Sequence, residues 1–120
     1  MWTYPGDDYV DIVAPTAYNN QLSIAGYDEL VATGKPLAMA EFGPDHYDNH
    51  GCFDNRTYKR QLTGVYTGMA FWISWHNWDN GDGTNTYMSI IGNRNARQLM
   101  QYPLILTRED VDWKKYLSVE

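Results

Sequence analysis

Short apolar runs alternate along the chain with stretches whose apolar residues recur at helical spacing. Tyr9-Val-Asp-Ile-Val-Ala14 predicts a first strand, entered through the turn formers Pro5-Gly6-Asp7-Asp8 and limited by Pro15. Ile24 to Ala32 then places Ile24, Tyr27, Leu30 and Val31 on one helical face, with Gly34 positioned as a stop. Pro36 to Ala40 predicts a second strand, and the polar stretch from Phe42 to Asn55 a long loop. Arg56 to Tyr66 predicts a helix with Tyr58, Leu62 and Val65 on its apolar side, its end blurred by Gly64 and Gly68. Met69 to Trp75 is nearly all apolar, the pattern of a strand buried on both faces. A turn-rich loop from Trp78 to Asn85 follows, then a helix from about Asn93 to Gln101 carrying Ala96, Leu99 and Met100. Leu104 to Leu106 is expected to be extended, and Thr107-Arg-Glu-Asp110 to cap a last turn through Trp113 and Leu117.

Strand, helix, strand, helix, strand, helix is the order of an α/β fold with parallel pairing and right-handed crossovers. Val10 to Val13, Pro36 to Ala40 and Met69 to Ser74 are therefore expected side by side in that order, with helices on one side. Three strands are few. Their edges invite partners, and residues on the face without helices are expected to be exposed unless another chain covers them.

At 120 residues the chain has room for one domain at most, spanning residues 1–120. A net charge of -6 with nine Lys and Arg leaves no basic cluster to neutralise phosphates, which argues against nucleic acid. No apolar stretch reaches the roughly 20 residues of a membrane helix. Met1-Trp-Thr-Tyr-Pro5 lacks the basic end and apolar segment of a signal peptide. Cys52 is the single cysteine, so no disulfide forms within the chain. Ten Tyr and five Trp against three Phe supply rings with polar handles, suited both to a core that opens onto a cleft and to stacking on flat ligands.

The chemistry is concentrated at two strand ends. Lys35-Pro-Leu-Ala-Met-Ala-Glu41-Phe-Gly-Pro44 is an apolar run that delivers a carboxylate and then turns. Met69 to Ile73 leads into Ser-Trp-His-Asn-Trp78, an aromatic and polar rim. A strand-end carboxylate beside strand-end aromatics is how barrel-type sugar hydrolases line a cleft. His46, His50 and Cys52, with Asp45 and Asp48 between them, lack the paired spacing of a structural zinc site and read as a polar loop. Asp79-Asn-Gly-Asp-Gly-Thr-Asn85 fails the calcium-loop pattern, having no closing Glu. Asn55-Arg-Thr57 forms a glycosylation triplet short enough to arise by chance.

Tyr4-Pro-Gly-Asp-Asp-Tyr-Val-Asp-Ile-Val13, Lys35 to Gly43, Phe71-Trp-Ile-Ser-Trp-His-Asn77 and Asn95-Ala-Arg-Gln-Leu-Met100 together resemble the C-terminal part of β-mannanases of glycoside hydrolase family 26. These are retaining glycosidases built on (β/α)8 TIM barrels. The resemblance implies a partial barrel holding the equivalents of strands six, seven and eight. Glu41 would be the nucleophile and Trp75 part of the floor of the sugar subsite. Tyr18 would lie near the nucleophile, and His46, Tyr47, His76 and Trp78 would border the groove. Thr16 stands where the family often has an acidic residue, and His76 where Arg is usual. The family's acid/base Glu belongs to strand four, which has no counterpart in this chain. Asp45 and Asp48 are too near Glu41 in sequence to face it across a sugar, and Glu29 and Glu109 read as solvated. No cofactor or metal is implied. The expected partners are a mannan-like polysaccharide, and either a missing N-terminal half-barrel or further copies of the chain. A parent protein of this kind would be secreted or at the cell surface. The other reading is a non-catalytic carbohydrate-binding or structural remnant of such a barrel.

Overall fold

The computed structural model describes residues 4–45 and 50–116. Its centre is a parallel arrangement of short strands in the order the sequence predicts. Strand β1 (Thr16–Tyr18) pairs with β3 (Glu41–Gly43), and β2 (Leu37–Met39) pairs with β4 (Met69–Trp72). Strands β2 and β3 are consecutive parts of one extended run, so the two ladders join. A bridge from Val13 to Leu37 and bonds from Ile73 N–H to Met39 and from Phe42 N–H to Ile73, each 3.0 Å, link them into one surface.

The first strand lies later than its apolar run predicts. Tyr9 falls in a 3-10 turn over Asp7–Tyr9, and pairing with a neighbouring strand begins only at Val13. It then continues through Pro15, whose carbonyl accepts the Ala40 N–H at 3.1 Å. Proline is tolerated because, among the described residues, β1 has a neighbour on one side only, so its missing N–H leaves no ladder bond unmade. Asp7 also accepts the Tyr4 hydroxyl, and its carbonyl accepts Lys35 Nζ at 2.9 Å, which secures this entry turn.

The helices are shorter than the apolar patterns predict. Helix α1 covers Tyr27–Val31, α2 covers Arg56–Gly64 and α3 covers Ala96–Met100. Leu30, Tyr58 and Leu99 are buried, whereas Val31, Val65 and Met100 at the far ends of their patterns are exposed. After α1 the chain turns at Gly34, where φ is +68 and its N–H bonds to Val31, so the glycine stop is used. Leu104 to Leu106 pairs with no strand. Thr107 and Asp110 form a reciprocal capping box around a single 3-10 turn, Arg108–Asp110, and a second turn covers Trp113–Tyr116. Leu117 lies outside the described residues.

The core is an aromatic and aliphatic cluster beneath β3. Tyr58 is fully buried, meets Phe42 and Phe53 edge-on at 5.5 and 5.7 Å, and stacks on Trp72 at 5.7 Å. Its hydroxyl donates to the Phe42 carbonyl at 2.7 Å, and burial pushes its pKa well above the ordinary tyrosine value. Tyr66 closes the other end, accepting the Ile24 N–H at 3.0 Å through its hydroxyl. Strand β4 is not buried on both faces as its composition predicts. Phe71 and Ile73 are 45% and 51% exposed, because no layer covers that side of the sheet among the described residues.

Candidate functional site

The carboxyl ends of the parallel strands form the rim that sequence analysis singles out. Tyr18 is the last residue of β1, and Glu41 opens β3, the later part of the β2–β3 run. Their register places Thr16 opposite Glu41 and Tyr18 opposite Gly43. This pairing lets the Tyr18 hydroxyl donate to Glu41 Oε2 at 2.8 Å. Burial, then the hydrogen bond to the carboxylate, raises the Tyr18 pKa well above its ordinary value, so the phenol stays protonated and remains a donor.

Beyond β4 the chain carries Trp75, His76 and Trp78 in a row. The Trp75 and His76 rings lie 5.2 Å apart, and His76 and Trp78 lie 6.1 Å apart. Trp75 is 41% exposed, as a stacking surface must be. Trp78 opens a small hairpin, β5 (Trp78–Asp79) with β6 (Asn85–Thr86), whose Asp79 and Asp82 accept turn N–H groups of Gly81 and Thr84. His46 and Tyr47 lie outside the described residues.

Sequence reasoning missed the scaffold behind this rim. Asn55 is fully buried at the start of α2, and its Nδ2 donates to the carbonyls of Ile90 and Arg94 at 2.9 and 2.8 Å. A glycosylated Asn55 is therefore incompatible with this fold, since its amide nitrogen is committed and out of solvent. Beside it, Asp54 pairs with Arg56 and accepts Asn95 Nδ2 at 2.9 Å. The Arg56 guanidinium holds the Asp54 carboxyl well below the usual carboxylate range. Asn93 Nδ2 bonds to the carbonyls of Tyr87 and Ser89, and Ser74 Oγ donates to Met88 at 3.1 Å. In the sequence Asn55 stands out only as part of a glycosylation triplet, because the carbonyls it holds belong to residues far along the chain.

Relatives give this geometry a family. The sequence model of glycosyl hydrolase family 26 matches residues 1–110. A Bacillus subtilis mannan endo-1,4-beta-mannosidase is 30% identical over 90% of this chain and 27% of its own length. A counterpart from Caldalkalibacillus mannanilyticus, mannan endo-1,4-beta-mannosidase A and B, is 30% identical over 92% of this chain and 20% of its own length. Among solved structures, the Bacillus subtilis mannanase BCman matches with a TM-score of 0.66 and 33% identity over 82% of this chain and 26% of that one. The Bacillus subtilis mannanase man26 matches with a TM-score of 0.63 and 32% identity, covering 82% of this chain and 25% of that one. The chain thus spans about a quarter of the length of these relatives, and its open α/β sheet is that of an incomplete TIM barrel. It belongs to glycosyl hydrolase family 26 and is of glycosidase origin.

Proposed function

We propose that the chain is the C-terminal quarter of a retaining endo-β-1,4-mannanase barrel, supplying the equivalents of strands six to eight and the catalytic nucleophile Glu41. The observation that carries this reading is the Glu41 carboxylate at a parallel strand end, held by the Tyr18 hydroxyl at 2.8 Å. A carboxylate that must attack an anomeric carbon gains from a donor that fixes one oxygen and leaves the other free. Attack forms a glycosyl–enzyme ester and expels the leaving sugar. Water then cleaves the ester and restores the carboxylate. Trp75, with His76 and Trp78 beside it, offers apolar ring faces to a sugar in the adjoining subsite.

Protonating the leaving oxygen requires a carboxylic acid about 5 Å from the nucleophile. No side chain described beside Glu41 has that role, and the remaining barrel would supply it. Surface area supports such a covering partner. The chain exposes 8465 Å², against about 6,700 Å² for a compact protein of this size. Its radius of gyration, 16.1 Å, exceeds the roughly 13–14 Å of a compact domain this long. Along the free edge of β4 runs an apolar groove of about 500 Å³ between Leu62, Met69, Trp72, Met100, Leu104 and Leu106. A further strand and its helix would fill it.

The test joins this chain to the preceding three-quarters of the Bacillus subtilis mannan endo-1,4-beta-mannosidase. The isolated chain is expected to leave mannan uncut, since a positioned general acid alone is worth roughly 10²- to 10⁴-fold. The joined protein should cut it, and Glu41→Gln should abolish turnover while leaving mannan binding in place. Turnover that survives Glu41→Gln removes the nucleophile from this reading. Mannan binding by the joined protein without turnover favours the non-catalytic alternative.

A further inference from the structure

Trp75 has a problem that its neighbours solve. A ring 41% exposed lacks the core packing that normally fixes a tryptophan, yet a sugar platform needs a fixed orientation. The two residues Trp75 and His76 are flanked by Ser74 and Asn77, and both flanks are tied to one loop, residues 87–94. Ser74 Oγ donates to Met88 at 3.1 Å, and Asn77 Oδ1 accepts the Ser89 N–H at 2.9 Å.

Although Asn77 is largely exposed, its carboxamide packs tightly on Gly92. A Cβ on Gly92 would lie 2.8 Å from Asn77 Nδ2 and 2.9 Å from Oδ1, so the carboxamide rests directly on the glycine backbone. On its other side Gly92 meets Gly51, where a Cβ would lie 2.9 Å from the Gly92 carbonyl and φ is +82. Gly92 thus lies in close contact with Asn77 and with Gly51, linking three segments. Gly51 belongs to the loop that follows Glu41, so these contacts join that loop to the aromatic rim. The loop they share is itself stiffened. Gly92 N–H donates to Ser89 Oγ at 3.1 Å, Asn93 spans the carbonyls of Tyr87 and Ser89, and Asn55 holds Ile90 and Arg94.

We infer that Asn77 is a positioning residue for the aromatic rim: its carboxamide, seated on Gly92, sets the orientation of Trp75 and Trp78. Its value for sugar binding rests on the function proposed above, whereas the positioning can be read without any sugar.

The experiment labels the chain with 5-fluorotryptophan and follows the ¹⁹F resonances, assigned with Trp72→Phe, Trp75→Phe and Trp78→Phe. Asn77→Ala should shift and broaden the Trp75 and Trp78 signals while Trp72, packed on Tyr58, stays in place. Gly92→Ala should do the same by pushing an intact carboxamide off its seat. Asn77→Asp keeps an acceptor for the Ser89 N–H and should recover most of the original spectrum. Unmoved Trp75 and Trp78 signals in Asn77→Ala overturn the inference. So does a Trp72 signal that moves with them, which would assign Asn77 a general structural role, or an Asn77→Asp spectrum no better than that of Asn77→Ala. In the joined hydrolase, Asn77→Ala should raise KM for mannan several-fold with a smaller change in kcat. If the resonances respond but KM does not, the positioning stands and the assignment of the rim to sugar fails.

Discussion

Two neighbouring residues of β4 live in different environments. Trp72 turns toward α2 and stacks on the buried Tyr58 at 5.7 Å, while Phe71 and Ile73 on either side of it are 45% and 51% exposed. Side chains alternate across a strand, so one apolar run packs on the core through Trp72 on one face and leaves Phe71 uncovered on the other. The helix-side face has its own layer within the chain. Among the described residues the opposite face has none. Among the described residues, the apolar composition of β4 therefore finds a covering layer on one face only.

The sharpest test of that difference compares truncation on the two faces. Tyr58→Ala should destabilise the chain by about 3–5 kcal/mol in urea unfolding, through a cavity and an unmet Phe42 carbonyl. Phe71→Ala should cost less than about 1 kcal/mol, because the ring gives up little burial. Equal losses would mean that the exposed face is packed in solution. Asn55→Ala comes next, expected to cost about 2 kcal/mol by removing two buried hydrogen bonds, although the carbonyls of Ile90 and Arg94 each keep a backbone N–H partner. Its loss should loosen the rim loop and leave the Tyr58 cluster intact, as hydrogen exchange of the two regions can show.

A pH series gives a smaller effect. Asp54 has a folded-state pKa held below that of the unfolded chain, chiefly by Arg56. Its stabilisation is complete above the ordinary carboxylate pKa of about 4 and fades as pH falls below it. Asp54→Asn should flatten that part of the acid-unfolding curve. The smallest stability change is expected for Ile73→Lys, within about 0.5 kcal/mol. Light scattering should nevertheless separate it from the parent chain. The unmodified chain should associate through its open face, and a lysine there should suppress association. Identical scattering from the two proteins would move the sticky surface elsewhere.

Much of the architecture was legible in local patterns. The second and third strands, the helix from Arg56 and the glycine stop at Gly34 each follow from composition within a few residues. The first strand did not. Tyr9 to Ile12 has strand-like spacing, but the ladder bonds begin at Val13 because that is where Pro36 and Ala38 come alongside. Periodicity reports which residues could face a core, and only the neighbour decides where pairing starts.

The site divides in the same way. Glu41 and Trp75 could be picked out because a carboxylate or an aromatic ring after an apolar run is a local event. By itself the sequence determined the α/β order, the two strand ends that carry the candidate residues and the family to which the chain belongs. The family resemblance already put Tyr18 near Glu41, but tertiary structure alone decided that its hydroxyl bonds Glu41 Oε2, that Asn55 is locked against Ile90 and Arg94, and that Asn77 rests on Gly92. Those partners stand many residues apart, and a hydrogen bond between them exists only after the chain has closed the loops that bring donor to acceptor.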